Sequence, residues 1–231
     1  MFESFKIRTA LFHHQKGEID KAKAEYAALY ASGYIRASYM LPWSIVLLRE
    51  GGEENYKKVK EILAKAQKAS DMDASRRSDL LMNFAVADFK LGNIEKGLEL
   101  LERSHQNNPN GNTYGALGYM YIAAGMTEKA LEFNLNALEY DDEDPVILDN
   151  LGQIYYRLLD DKEKALEYFE KAHELKPGQI DTLWFLSRYD LEKGDTEAAI
   201  EKLEKTLEGR FSPLNYINAD IVREEIERLR G

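Results

Sequence analysis

Apolar positions along this chain come in short bursts at helical spacing. Tyr114, Leu117, Gly118 and Tyr121 stand at i, i+3, i+4 and i+7, the stripe of one helix face. Gly125 interrupts the stripe, and Ala130, Leu131, Asn134 and Ala137 begin a second one. The acidic run Asp141, Asp142, Glu143 and Asp144 closes the unit and Pro145 opens the next. Asp144 reads as a helix N-cap, Pro145 as a first-turn residue, and the acids favour the positive end of the helix rather than a calcium loop.

The pattern then repeats. Leu117-Gly118 recurs as Leu151-Gly152 and Tyr121 as Tyr155, both 34 residues on; Ala130 recurs as Ala165 and Ala199, and Pro109 and Pro177 are 68 apart. One inserted residue near Leu159 and Asp160 accounts for the steps of 35. The chain reads as six helix–turn–helix units, at residues 3–34, 35–70, 78–110, 111–144, 145–179 and 180–213, followed by a capping helix over 215–230. The whole of residues 1–231 is thus expected to form one array. A two-helix unit buries its apolar face only against neighbours, so stacking builds the core and the last unit needs a cap. Ile221, Val222, Ile226 and Leu229 supply the apolar stripe of that cap, and Ser212-Pro213 the elbow before it. Pro42 lies inside the first helix of the second unit and predicts a kinked or late-starting helix there.

On these residues the chain resembles the tetratricopeptide repeat family, whose units carry a large residue, Leu-Gly, Tyr, then Ala, Phe, Ala and a late Pro. Leu148, Leu151, Gly152, Tyr155, Ala165, Phe169, Ala172 and Pro177 match best; the units at 3–34 and 35–70 match least. The resemblance implies an all-α, right-handed α-solenoid of helix pairs, with the first helix of each pair on the concave side. Asp88 and Asp190 stand where the family has Tyr, which predicts looser packing there. The Lys, Asn and Arg by which one branch of the family grips C-terminal carboxylates are missing from the matching places, so a heat-shock-chaperone tail is not the expected ligand.

Composition narrows the chemistry. There is no cysteine, hence no disulfide framework, thiolate metal site or cysteine nucleophile. The net charge of −10 argues against nucleic acid as a partner. Charge is uneven: residues 1–78 carry 14 Lys and Arg against 10 Asp and Glu, the rest 17 against 31. That asymmetry is the basis of an alternative reading, a scaffold that self-associates head to tail or is tethered to a membrane. No apolar run reaches the roughly 20 residues of a membrane span, so no direct membrane insertion is expected and the reading is cytoplasmic. The early Phe2, Phe5 and Ile7 leave open a membrane anchor upstream of Met1. No catalytic motif is present, and the adjacent His13 and His14 point about 100° apart on a helix. His105 and His173 are expected to be exposed. No metal and no cofactor are expected.

The first-helix residues outside the packing stripe are the expected partner-facing set. They include Tyr39, Trp43 and Val46; Val86 and Phe89; Gly115 and Tyr119; Asp149, Gln153, Tyr156 and Arg157; and Asp181, Trp184 and Arg188. Exposed aromatics with two arginines on a concave face would anchor a peptide. The expected binding groove is therefore Tyr39, Trp43, Phe89, Gly115, Tyr119, Tyr156, Arg157, Trp184 and Arg188, with Gly115 leaving a pocket beside Tyr119. The expected function is a non-enzymatic adaptor that holds a protein or peptide partner there.

Overall fold

The computed structural model describes residues 2–231, the side chain of Phe2 excepted, so the expectation placed on that ring lies outside the described residues. The described chain is all-α and divides into two compact units, Met1–Asn107 and Asn108–Gly231. The first unit holds three helix pairs: α1 (Phe2–Gln15) with α2 (Ile19–Ala31), α3 (Ala37–Glu50) with α4 (Glu53–Ala66), and α5 (Ala74–Lys90) with α6 (Ile94–Asn107). The second holds α7 (Gly111–Ala123) with α8 (Thr127–Tyr140), α9 (Pro145–Gln153) with α10 (Lys162–Leu175), and α11 (Ile180–Glu192) with α12 (Thr196–Leu207), then α13 (Ala219–Arg230). No helix among the described residues is long and apolar enough to cross a membrane.

Local chemistry sets the helix starts. Asp144 accepts from the Val146 N–H at 2.7 Å, and Asn110 and Thr113 cap each other's backbone at the start of α7. Asp71 reaches back 34 residues to accept from the N–H groups of Ala37 and Ser38, at 2.8 and 3.1 Å, and so caps α3 from outside it. The turn inside most pairs uses a glycine at positive φ, Gly125 at 70° for example, a conformation that a Cβ disfavours. Between α9 and α10 the same role falls to Asp160 at φ 54°. The inserted residue is absorbed just before it: Ile154–Leu158 form a π-helical turn, closed by the Leu159 N–H on the Ile154 carbonyl at 3.1 Å.

Four expectations need correction. The helix carrying Pro42 does not start late: it runs from Ala37 to Glu50 with the proline inside it. Nine of its residues are buried, and that packing outweighs the one hydrogen bond that proline removes. Asp88 and Asp190 do not loosen the stack. Asp88 is fully buried with Lys60 Nζ 2.5 Å away and Lys96 at 3.5 Å, and Lys202 lies 2.6 Å from Asp190. In the units between, Lys129 and Lys164 lie over the rings of Tyr121 and Tyr155, at 4.6 and 4.3 Å, so a lysine of the second helix meets either a ring face or a carboxylate at this place. The terminal helix begins at Ala219 rather than 215, and Ile221 faces solvent while Val222 and Ile226 are buried. His105 and His173 are half-buried, and burial pushes both below the usual imidazole range.

Candidate interaction site on the first helices

The first helices of the second unit share one cavity of about 750 Å³. Gly115 and Tyr119 of α7, Asp149 and Asn150 of α9, and Asp181 of α11 line it, together with Arg210, Ser212, Leu214 and Asn215 from the segment after α12. Gly115 is there because α9 comes too close for a side chain: a Cβ would lie 2.9 Å from Val146 Cγ1. Asn150 Nδ2 donates to the Gly115 carbonyl at 3.0 Å and ties the two helices.

Two buried carboxylates dominate the electrostatics. Asp149 accepts from Thr182 Oγ1 at 2.6 Å and Gln153 Nε2 at 2.8 Å, and Arg157 in turn donates to Gln153 Oε1 at 2.8 Å. Burial, followed by the charge of Asp181, pushes Asp149 up to about 7. Burial also raises Asp181, to about 6, against the opposing pull of its hydrogen bonds and of Arg157. The hydrogen-bond partners of both are neutral. Gln179 donates from Nε2 to the Pro145 carbonyl at 2.8 Å, while its buried Oε1 has no partner.

The donors to Asp181 come from the chain's own segment. Asn215 Nδ2 donates at 2.9 Å and the Tyr216 N–H at 3.0 and 3.1 Å to its two oxygens. Tyr119 OH donates to the Asn215 carbonyl at 3.1 Å, and burial raises its pKa. The Tyr216 ring stacks on Phe185 at 5.3 Å and under the Arg157 guanidinium at 4.1 Å. Ser212 and Asn215 fold the segment into a turn: the Asn215 N–H donates to the Ser212 carbonyl at 3.1 Å, and the Ser212 N–H to Asn215 Oδ1 at 2.6 Å. Residues 212–217 therefore lie against α7, the π turn and α11 at once.

The residues expected to form the groove are placed very differently from one another. Tyr39 is fully buried, stacked on Tyr26, with its OH on the Tyr34 carbonyl. Trp43 is 5% exposed with its edge on Tyr30, and Phe89 is 8% exposed. These three belong to the first unit and are core residues, because a first helix there packs on more than one side. Tyr119 is also buried, 7% exposed, but borders the cavity. Tyr119 and Arg157 meet on the segment, and Gly115 lines the cavity beside it. Tyr156 is half-buried among Phe169, Phe185 and Tyr189, and Trp184 lies under Arg188 at 4.1 Å. Arg188 itself pairs with Glu225 of α13, so it holds the cap rather than a partner. Among residues outside that set, Phe185, Asn215 and Tyr216 complete the site; the sequence signal was only an aromatic and an amide in an elbow.

Residues 146–179 match the family model of the tetratricopeptide repeat. No curated protein matches the chain. Among solved structures it is similar to YrrB, described as a TPR protein with an unusual peptide-binding site, at 26% identity and TM-score 0.51, covering 77% of this chain and 88% of that one. It is also similar to TTC0263, a thermophilic TPR protein of Thermus thermophilus, at 18% identity and TM-score 0.64, covering 84% of this chain and 98% of that one. A third similar structure is pilF of Pseudomonas aeruginosa, at 16% identity and TM-score 0.58, covering 88% and 89%. At these identities the last two speak for the fold alone.

Proposed function

The chain is a tetratricopeptide-repeat protein, and from that premise we propose that it is a non-enzymatic interaction module whose first helices in the second unit take a short segment of a partner protein. One observation carries this reading: residues 212–217 already occupy that face, held through their backbone by Asp181 and Tyr119. A carboxylate that accepts main-chain N–H groups recognises peptide whatever its side chains. The unusual peptide-binding site described for YrrB supports the same reading. The two raised carboxylates of the cavity each already accept hydrogen bonds from their own chain, an arrangement suited to holding N–H groups.

The test is affinity capture from native extract with the wild type and Arg157→Ala, each checked for fold by circular dichroism. Arg157 is half-buried and contributes to the face rather than to the core. A partner retained by the wild type and lost by the variant is the expected result. Equal capture by both would move the binding surface elsewhere. Capture of the chain by itself, weakened by salt, would favour the head-to-tail scaffold that the uneven charge suggests.

A further inference from the structure

The segment between α12 and α13 does more than connect them. A link from Leu207 to Ala219 has only to reach the next helix, yet it turns inward at Ser212–Asn215 and lays Tyr216 on the first helices. Its two ends are fixed independently of that excursion. Phe211 at one end packs against the cluster in which Ile217 at the other is buried with Ile180, Leu203, Val222 and Ile226, and α13 is fastened through Glu225 to Arg188 of α11. The middle is held by polar contacts and one stacked ring, and Tyr216 remains 42% exposed. Residues 212–216 can therefore leave while Phe211, Ile217 and α13 stay in place.

We propose that residues 212–216 are a built-in occupant of the partner site, displaced when the partner binds, and that the partner supplies the same chemistry: an amide side chain followed by an aromatic residue, with free backbone N–H groups at and beside the aromatic. This rests on the interaction reading above and names its ligand and its regulation. The geometry fixes each part of the motif. Asp181 takes the amide and the main-chain N–H of the aromatic residue; the aromatic ring fits between the Phe185 face and the Arg157 guanidinium; Tyr119 OH donates to the carbonyl of the amide residue. A proline at the aromatic position is excluded, since it has no N–H to give. A segment tethered in cis has the advantage of high local concentration, so a free competitor binds weakly until the tethered copy is loosened.

The probe is a synthetic peptide with the sequence of residues 211–218, titrated into the full chain and followed by two-dimensional NMR. Three forms are compared: wild type, the loosened variant Asn215→Ala/Tyr216→Ala, and the loosened variant with Arg157→Ala added. The expected result is binding to the loosened variant about tenfold or more tighter than to the wild type, with shifts at the α7, α9 and α11 residues of the cavity. Adding Arg157→Ala, or replacing the tyrosine of the peptide by alanine, should remove it. Equal binding to wild type and loosened variant, or none to the folded loosened variant at millimolar peptide, overturns the proposal. Failure here leaves partner capture by the wild type as it was, and failure of capture leaves the peptide result standing, so the two readings fall separately.

Discussion

Replacing Gly152 by alanine tests the packing that sets the shape of the second unit. A Cβ at this position would lie 2.5, 2.6 and 2.9 Å from Cε1, Cδ1 and Cζ of Phe169. Comfortable carbon–carbon contact is about 3.5–4.0 Å, so the overlap is close to 1 Å. The ring has little freedom to retreat. Phe169 is fully buried and stacked on Phe185 at 4.9 Å, and Phe185 is stacked on Tyr216. Overpacking of this kind costs about 1–3 kcal/mol, against up to about 1 kcal/mol regained from the helix propensity of alanine. A net loss of about 1–2 kcal/mol is expected, read as a lower urea midpoint at unchanged slope. A cycle with Phe169→Leu makes the test sharper. Trimming the ring opens the space that the methyl needs, so the double variant should be less destabilised than the sum of the singles by at least about 1 kcal/mol. Gly178→Ala is the control, with nothing within 4 Å of its Cβ, and should shift stability by less than about 0.5 kcal/mol. An unchanged or higher midpoint for Gly152→Ala, or strict additivity in the cycle, would refute the reasoning.

Other outcomes follow from the same structure. Asp149 and Asp181 have raised folded pKa values, so their protonated forms favour the native state; their contribution is fully present below the ordinary carboxylate range and is lost as pH rises through about 6 to 7. Asp149→Asn, which can still accept from Gln153 and donate to Thr182, should therefore raise the melting temperature at pH 7.5 more than at pH 5; an equal change at both pH values would contradict this. Asn134 is fully buried, and its Oδ1 has no partner. Asn134→Leu keeps the number of side-chain heavy atoms but gives up the Nδ2 bond to the Ala130 carbonyl; it should stabilise by about 1 kcal/mol in urea unfolding, and a loss would show that this bond and the close fit against Gly118 outweigh the unpaired oxygen. Pro42→Ala restores the missing donor inside α3 and should raise stability by roughly 1–3 kcal/mol; no gain would mean that the ring's contacts matter as much as the lost hydrogen bond.

The repeat was legible in the sequence because each pair must bury the same stripe against the next, and that requirement writes Leu-Gly, Tyr and Ala at fixed intervals. Even the inserted residue near Asp160 was visible as a step of 35, although the π turn that absorbs it was not. The site was less legible, for a reason that α7 makes plain. Thr113, Gly115, Leu117, Gly118, Tyr119, Met120, Tyr121 and Ile122 are all buried. A first helix packed on nearly every side has no free face for periodicity to reveal, so Tyr39, Trp43 and Phe89 looked like groove aromatics and are core. Asp149 and Asp181 were placed correctly on the first helices, but what they hold was hidden. Asp149 takes its donors from Gln153 on its own helix and from Thr182 on α11, while the donors to Asp181 are brought near by the turn at Ser212–Asn215, a tertiary arrangement with no periodic signal.

The most direct test of the central claim is the hydrogen-exchange footprint of a captured partner on the full chain. The account predicts slowed exchange in α7, α9 and α11 around the cavity, together with faster exchange through Leu214–Tyr216 as the internal occupant is expelled. Slowed exchange confined to α8, α10 and α12, or to the first unit, with the Tyr216 amide unchanged, would contradict it.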